Sequence, residues 1–503
     1  MEIKKAIQEF KALDEKITHF QSISGLADWD QKVMAPKKGR AQFAKAIGTL
    51  RTEAFKLSVS EKMAQLLEEL SSESAKTELD ELTVAQVRER KEDYERSKRI
   101  PAEDFKEFAI LTAQANDAWE HAREHNDFNH FAPFLEKIIA FRRKFAEIFG
   151  YEVHPYDAVL DEYEPGLTVA KLDPIFAKLR DTSVALLERI KKSPHQTPAE
   201  IFSQTYDIGK QKEFNRYILP IIGFDMEAGR LDETVHPFAQ SITIGDVRLT
   251  TRYLEENVRS ALFGTIHEAG HGIYEQNIDK RFEGTVLAGG TSFGIHESQS
   301  RFLENMVGRS QAFWSYFYPR LVEFFPEQLG NVDEEDFYRA VNTVEPSFIR
   351  VEADELTYNL HIMVRYEIEK ALMAGELEVR DLPAVWNGKM EEYLGIIPGT
   401  DREGVLQDVH WSFGGIGYFP SYSLGNLYAA QILNTIRKEL PDYETAIASG
   451  DFSQIMGWLK EKIHQYGSLY RPNELIVRVT GEELNAEYLA EYLEAKYTEI
   501  YKL

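Results

Sequence analysis

Apolar side chains recur at helical spacing through the first 150 residues of the chain. One segment places four of them on a single face, at offsets of three and four: Met63, Leu66, Leu67 and Leu70. A second segment, from 131 to 149, does the same with Phe134, Ile138, Phe141 and Phe145. Charged residues occupy the opposite faces, which is the pattern of amphipathic helices. The sequence therefore predicts long helices that pack on one another.

The pattern changes to a period of two between residues 231 and 253. Apolar and polar residues alternate from Ser241 to Arg252 on both sides of Gly245-Asp246. Alternation around a Gly-Asp pair predicts a β-hairpin. Helical spacing resumes near Glu255 and continues to the end of the chain. There, Thr480-Gly-Glu-Glu483 has the form of a capping box and predicts the start of a helix that runs to about residue 497.

No linker rich in Pro, Gly or Ser and no low-complexity tract divides the chain. The absence of a fixed repeat also argues against a solenoid. The sequence therefore predicts a single, mainly α domain over residues 1–503 with a small β element in its middle. A boundary near residue 200 is only weakly indicated.

Composition and charge narrow the classes of function. Of the 503 residues, 58 are basic and 83 acidic, which gives a net charge of −25. Such a chain repels phosphate backbones and anionic lipid, so we expect neither a nucleic-acid nor a membrane partner. The chain has no cysteine, which excludes thiol catalysis and thiolate metal sites. The N-terminal residues do not have the pattern of a signal peptide, so a cytoplasmic location is expected.

The strongest chemical signal is the segment His267-Glu268-Ala-Gly-His271, which matches the pattern H-E-x-x-H. On a helix, residues i and i+4 share one face, so both imidazoles can bind one metal ion. Glu268 lies about 100° further round the helix, where it can act as a general base towards a water on that ion. Gly270 and Gly272 lie inside the helix although each costs about 1 kcal/mol relative to Ala. Such departures gather at functional sites.

A catalytic zinc ion takes three protein ligands and leaves a fourth position to water. Without cysteine, the third ligand must be His, Asp or Glu. The downstream segment that begins at Gly294-Ile-His296-Glu297 supplies candidates. By spacing alone, His296, Glu297 and Glu304 all remain possible.

Two further segments combine charged, aromatic and turn residues. One runs from Phe348 to Tyr358, and the other from Gly404 to Tyr422. Each composition also occurs in charged helix faces and polar loops, but both suit a peptidase cleft. Tyr or His can donate to a developing oxyanion, and Arg can bind a chain-terminal carboxylate through two hydrogen bonds.

Six motifs, in this order, resemble those of the carboxypeptidase Taq family of metallocarboxypeptidases. They are His236-Pro237-Phe238; Asp246-Val-Arg248-Leu-Thr250; His267-Glu268-Ala-Gly-His271; His296-Glu297-Ser-Gln; Ile349-Arg350-Val-Glu-Ala-Asp354-Glu355; and Gly404-Val-Leu-Gln407-Asp408-Val-His410-Trp411. The resemblance covers nearly the whole chain, and six ordered motifs are far more specific than H-E-x-x-H alone.

The resemblance implies a mainly α fold, a large helical cradle with a deep central groove and a small β-sheet beside the metal site. Helices of about residues 1–200 would cover the groove, and the catalytic core would occupy about 230–430. It also implies a homodimer with one Zn²⁺ per chain, for which Co²⁺ can substitute.

The same resemblance implies that Glu297 is the third metal ligand beside His267 and His271, with Glu268 as the base. The candidate substrate-binding residues are His236, Asp246, Arg248, Thr250, Arg350, Gln407, Asp408 and Trp411. We further infer that Arg248 or Arg350 binds the substrate carboxylate. A catalytic, transition-state role is inferred for His410, Tyr418 or Tyr422.

The sequence therefore predicts a metallocarboxypeptidase that removes single residues from peptides with a free C-terminus. One alternative is a zinc endopeptidase or oligopeptidase, whose groove would be open at both ends. A second is a helical binding scaffold with a structural metal. Glu268 argues against the scaffold, because metal binding alone does not require this residue.

Overall fold

The computed structural model describes residues 3–503, and helices make up most of the chain. In chain order, the α-helices are α1 (Ile3–Val33), α2 (Arg40–Ser58), α3 (Glu61–Leu70), α4 (Glu73–Lys76), α5 (Glu81–Arg99), α6 (Ala102–His125), α7 (Phe128–Phe149), α8 (Pro155–Leu160), α9 (Val169–Lys192), α10 (Ile208–Ile221), α11 (Val258–Gln276), α12 (Phe293–Arg301), α13 (Gln311–Phe324), α14 (Pro326–Leu329), α15 (Glu334–Val341), α16 (Tyr358–Ala374), α17 (Leu382–Leu394), α18 (Pro420–Glu439), α19 (Tyr443–Ala448), α20 (Ser453–Lys462), α21 (Pro472–Thr480) and α22 (Glu487–Tyr501). None of these described helices has the length and apolar character needed to cross a bilayer.

One small sheet accompanies the helices. Its strands are β1 (Gly229–Glu233), β2 (Ala239–Thr243) and β3 (Asp246–Thr251), in the order β1-β3-β2. Strands β2 and β3 are antiparallel and form the hairpin predicted around Gly245-Asp246, whereas β1 pairs with β3 in parallel. The prediction of a mainly α fold with a small sheet is confirmed.

Contacts between Cα atoms divide the chain into two compact units, each assembled from separate stretches of sequence. The first contains the described residues up to Lys98, together with Ala199–Val341 and Ile432–Gly481. The second contains Arg99–Pro198, Asn342–Gln431 and Glu482–Leu503. The sequence-based expectations of a single domain over 1–503, of covering helices in about 1–200 and of a core at 230–430 stay predictions.

In the first unit, the sheet packs on helix α11, which contains the His-Glu-x-x-His segment. Strand β3 contacts this helix through its buried residues, among them Leu249. A Cβ atom on Gly272 would lie 2.7 Å from Phe224 and 2.8 Å from Leu249. Because Gly272 has no side chain, these two residues pack directly against the helix. The sheet therefore lies beside the predicted metal site, as expected.

The two predicted amphipathic helices differ in how well their buried faces match the expectation. On α3, all four predicted residues are buried, and the Ser60 side chain caps the helix by accepting from the Met63 N–H at 3.2 Å. On α7, Ile138 and Phe145 are buried, but Phe134 and Phe141 are only half-buried. The buried face is rotated towards Arg142, whose guanidinium binds Glu162 at 2.8 Å.

The predicted capping box at Thr480 is wrong. Thr480 is the last residue of α21, and its hydroxyl donates to the Ile476 carbonyl at 2.8 Å. Gly481 follows with φ +86°, a left-handed conformation that glycine adopts without strain and that ends the helix. Helix α22 begins only at Glu487.

Candidate active site

Helices α11 and α12 bring three potential metal ligands together in the first unit. His267 and His271 lie one turn apart on α11, and Glu297 lies on α12. Glu297 Oε2 is 3.6 Å from His267 Nε2 and 3.4 Å from His271 Nε2. One ligand atom from each residue lies within 4.8 Å of the others, a condition met by no other set of three such residues among the described part of the chain.

The close approach of α11 and α12 depends on Gly270. A Cβ atom at this position would lie 2.5 Å from the Gln299 carbonyl oxygen and 2.5 Å from Ser300 Cα. Both are backbone atoms of α12, so no side-chain rotation could relieve the clash. The glycine that weakens the helix locally therefore allows Glu297 to reach the two histidines.

The three residues fit a divalent transition metal. Metal–ligand bonds of about 2 Å at tetrahedral angles separate neighbouring ligand atoms by about 3.3 Å, close to the two distances from Glu297 Oε2. Imidazole and carboxylate are also the ligands expected in a chain without cysteine. Three ligands leave one tetrahedral position open.

A carboxylate binds Nδ1, the second ring nitrogen of His267. Glu304 Oε2 accepts a hydrogen bond from His267 Nδ1 at 2.9 Å, which leaves the lone pair of Nε2 free for a metal. Glu304 lies in a π-helical turn, Phe302–Val307, that continues α12. Arg301 donates to both Glu297, at 2.7 Å, and Glu304, at 3.2 Å. The arginine bridges the two carboxylates and holds them in place.

The charges in this cluster favour metal binding. Burial would raise the pKa of Glu297, but Arg301, His267 and His271 outweigh it and hold that pKa well below its usual range. Burial lowers the pKa of His271 to about 4, so its imidazole is neutral at pH 7. A neutral imidazole and an ionised carboxylate are the forms that coordinate metals.

The other two candidates for third ligand have different partners. Both ring nitrogens of His296 are engaged: Nδ1 lies 2.6 Å from His271 Nδ1, and Nε2 lies 2.8 Å from Glu275 Oε1. Glu304 contacts the Nδ1 side of His267. Of the three candidates, Glu297 is the residue whose carboxylate lies beside both Nε2 atoms.

Glu268 is buried beside this group, with 7% of its surface exposed. Burial raises the pKa of its carboxyl to about 7, an effect that the neighbouring His267 partly opposes. A carboxyl with a pKa near neutrality can both accept and return a proton at physiological pH.

On strand β3, the predicted substrate-binding residues are hydrogen-bonded within the first unit. Arg248 donates through Nε and Nη2 to the two carboxylate oxygens of Asp246 at 2.9 and 2.8 Å. The Thr250 hydroxyl donates to the Phe238 carbonyl at 2.9 Å and accepts from the Phe238 N–H at 2.8 Å. Thr250 thereby fixes the segment that contains the exposed His236.

In the second unit, Arg350 is buried and held by three hydrogen bonds. Its Nε and Nη2 donate to the two oxygens of Asp408 at 3.1 and 2.8 Å, and its Nη1 donates to the Tyr358 hydroxyl at 2.9 Å. Burial would raise the pKa of Asp408, but Arg350 holds it well below its usual range. Gln407 accepts from the Arg350 N–H at 2.8 Å. The charge of this arginine is therefore already balanced by Asp408.

His410, Tyr418 and Tyr422 form an aromatic cluster in the same unit. The rings of His410 and Tyr418 stack with centroids 5.3 Å apart, and His410 Nε2 lies 3.4 Å from the Tyr422 hydroxyl. Burial lowers the pKa of His410 to about 3, so the imidazole is neutral at pH 7. The cluster offers one imidazole and two phenols.

Comparison with known proteins identifies the family. A family model described as carboxypeptidase Taq (M32) metallopeptidase matches residues 9–497. The chain belongs to the M32 family. Carboxypeptidase 1 of Bacillus subtilis is 46% identical over 503 residues, which is 100% of both chains. Thermostable carboxypeptidase 1 of Thermus thermophilus is 42% identical over 99% of both chains. A crystal structure of an M32 carboxypeptidase from Deinococcus radiodurans R1 has a TM-score of 0.96 at 38% identity, with 99% of this chain and 100% of that one covered.

This M32 protein is therefore a metal-dependent carboxypeptidase that releases amino acids from peptide C-termini. The activity predicted from the sequence is confirmed, and so is the dependence on a metal. The identity of 46% and 42% to proteins named carboxypeptidase, over nearly the full length of the chain, also favours carboxypeptidase activity over the endopeptidase and scaffold alternatives.

Sequence reasoning missed several residues that this M32 carboxypeptidase uses to support its site residues. Trp411, predicted to bind substrate, is 1% exposed, and its Nε1 donates to Glu369 at 2.8 Å. Arg365 lies 3.9 Å from the centre of the Trp411 ring and 3.4 Å from Glu369. The i,i+4 spacing of Arg365 and Glu369 on α16 was a signal that both share a face. The sequence carried no signal that this face is buried.

In the first unit, Glu275 was also missed. It follows His271 by four residues and therefore shares its helix face. Its partner, His296, lies on another helix, so the pair could not be predicted from spacing along α11.

Proposed function

We propose that this carboxypeptidase binds one Zn²⁺ through His267, His271 and Glu297 and uses Glu268 as its general base. The observation that carries the proposal is the grouping of three ligand atoms within 4.8 Å next to a buried carboxyl whose pKa is raised to about 7. Nitrogen and oxygen ligands near tetrahedral spacing support zinc, and Co²⁺ accepts the same ligands.

A bound zinc ion would supply Lewis acidity, which lowers the pKa of a coordinated water and polarises the scissile carbonyl. Glu268 then accepts a proton from the attacking water and delivers it to the leaving amine. Its carboxyl is suited to both transfers because the two protonation states are nearly balanced near pH 7. Glu304 and Arg301 keep His267 and Glu297 in position throughout.

The remaining site residues keep the roles proposed from the sequence. We propose that His410, Tyr418 or Tyr422 donates a hydrogen bond to the developing oxyanion, which suits a neutral imidazole or a phenol. Arg248 or Arg350 would bind the substrate carboxylate, with Asp246 or Asp408 orienting the guanidinium. His236, Thr250, Gln407 and Trp411 would support substrate binding.

We also propose a homodimer, which the resemblance to the carboxypeptidase Taq family supports, and a cytoplasmic location, which rests on the expectation from the sequence alone.

We expect kcat/KM to fall as the pH drops below neutrality, because Glu268 accepts a proton only when ionised. Burial raises its pKa to about 7, and a bound dication favours the carboxylate, so the acid limb should lie at or below pH 7. Below it, kcat/KM should fall about tenfold per pH unit. The measurement is kcat/KM from pH 4.5 to 8.5, with bound metal quantified at each pH. A flat profile down to pH 5 with full metal occupancy would contradict a Glu268 base.

We expect cleavage only of peptides with a free C-terminal carboxylate. Two N-acetylated peptides of one sequence, one with a free C-terminus and one amidated, would be incubated with the metal-loaded protein. Mass spectrometry should show a ladder shortened one residue at a time from the free C-terminus and none from the amide, because the amide has no charge for an arginine to bind.

Internal cuts in both peptides would instead identify an endopeptidase. An unchanged pair in the presence of bound metal would favour the binding scaffold. The N-acetyl group serves as the control, because it removes aminopeptidase cleavage as an explanation of any ladder.

A further inference from the structure

Two hydrogen bonds in series connect His271, through His296, to the buried carboxylate of Glu275, which is not one of the three metal-binding residues. His271 Nδ1 lies 2.6 Å from His296 Nδ1, and His296 Nε2 lies 2.8 Å from Glu275 Oε1. Glu275 Oε1 also accepts from the Gly290 N–H at 3.1 Å. Glu275 is 7% exposed, so water competes little for these bonds.

With a neutral His296, the hydrogens along this chain can be placed in one way only. A carboxylate only accepts, so His296 Nε2 must carry a hydrogen and donate to Glu275. In a neutral His296, Nδ1 is then an acceptor, and His271 Nδ1 must be the donor. His271 Nε2 consequently has its lone pair free, and this is the atom that lies 3.4 Å from Glu297.

Packing holds the His296 ring in this position. A Cβ on Gly290 would lie 2.6 Å from His296 Cδ2, so the ring fits only because residue 290 is glycine. The Tyr274 ring is a second neighbour, with its centre 5.1 Å from that of His296. The ring is therefore confined by a backbone segment and an aromatic neighbour.

We propose that His296 and Glu275 are positioning residues that set the tautomer of His271 and thereby strengthen metal binding. His296 acts as a spacer between a ligand and its carboxylate, and it is not itself a ligand. The two ligand histidines thus differ: His267 contacts the carboxylate of Glu304 directly at 2.9 Å, whereas His271 reaches Glu275 through an imidazole. This inference rests on the proposed function, because it requires the metal to bind at His271.

The test measures the dissociation constant for Zn²⁺ by competition with a chelator, in the full chain. His296→Phe keeps a flat ring but removes both hydrogen bonds. His296→Asn keeps an acceptor near the position of Nδ1, and Glu275→Gln keeps the shape of the carboxylate without its charge. Tyr274→Phe is the matched control, because it keeps the ring that packs against His296.

We expect His296→Phe to weaken zinc binding by about 10- to 100-fold, the usual cost of losing such an outer partner. His296→Asn should recover part of this loss, and Glu275→Gln should show a smaller one. Tyr274→Phe should bind zinc within about twofold of the wild type. The visible absorption of the Co²⁺-loaded protein should change in His296→Phe and stay unchanged in Tyr274→Phe, since it reports ligand geometry. Circular dichroism would establish that each variant is folded.

Zinc binding as tight as in the wild type in folded His296→Asn and Glu275→Gln would overturn the proposal, even if His296→Phe fails to fold. A different result bears on the proposed function: if His271→Ala binds zinc as tightly as the wild type, the metal does not bind at this histidine. The two failures are therefore distinguishable.

Discussion

Glu268→Gln is expected to lower kcat by about 10³-fold, within the range that general acid–base catalysis contributes, while bound metal stays near one ion per chain. Glutamine has the shape of glutamate, but its amide cannot accept a proton from the attacking water. The metal should be retained because Glu268 contributes no atom to the ligand group at His267, His271 and Glu297.

The substitution should also leave the fold intact. Burial already disfavours the charged form of Glu268, whose pKa is raised to about 7, so a neutral amide removes a buried charge rather than adding a defect. Single-turnover and steady-state rates, elemental analysis and thermal unfolding would be measured on the same preparations. Glu256→Gln, at an exposed position just before α11, is the matched control. A fully active, metal-loaded Glu268→Gln enzyme would rule out the assigned base.

Gly270→Ala is expected to reduce kcat/KM by about 100-fold, the cost of a misplacement of about 1 Å at a catalytic group, and to weaken metal binding. The new methyl group would lie 2.5 Å from two backbone atoms of α12, so one helix must move. Glu297 would move with α12, away from the two histidines. Overpacking of this kind also costs about 1–3 kcal/mol of stability.

Helix propensity alone predicts the opposite result for stability. Ala is favoured over Gly inside a helix by about 1 kcal/mol, so a purely local effect would raise the melting temperature. Gly264→Ala separates the two effects, because its Cβ would meet only Thr251 Oγ1 at 3.7 Å, an ordinary contact. We expect Gly264→Ala to be neutral or stabilising, with full activity. Equal behaviour of the two variants in melting temperature and zinc affinity would show that the close helix approach is unimportant.

The sequence was most informative where function depends on spacing within one element. His267 and His271 lie four residues apart on a helix, and the helical period places them on one face. The hairpin of β2 and β3 was likewise predicted from local alternation and one turn. In the histidine pair and in the hairpin, the residues that face each other lie within about ten positions of one another in the sequence.

Predictions were wrong or incomplete where the residue that a side chain contacts lies on another helix or strand. By spacing alone, Glu297 could not be distinguished from His296 and Glu304. The periodicity of the sequence predicts each helix, but it does not predict how the loop between α11 and α12 orients one helix relative to the other. The face of α7 was misjudged because Arg142 is buried through its contact with Glu162. Thr480 looked like a helix start because four residues matched a motif, whereas the left-handed Gly481 ends the preceding helix.

The two predicted carboxylate clamps illustrate a further limit. Arg248 and Arg350 were identified by residue type, and each is bound by an aspartate through two hydrogen bonds. A sequence shows that a cation is available but not which carboxylate of the protein orients its guanidinium.

The order of synthesis has a consequence for the first unit, which is assembled from three separate stretches of the chain. The metal-binding group is complete once Glu297 has been made, but the unit also includes Ile432–Gly481, whose last residue is made roughly 180 residues later. At 5–20 residues per second, a ribosome needs about 10–40 s for that interval. The loop that joins the stretches must close before their packing stabilises the unit. His267, His271 and Glu297 therefore spend about 10–40 s on a growing chain before the last stretch of their unit has been made.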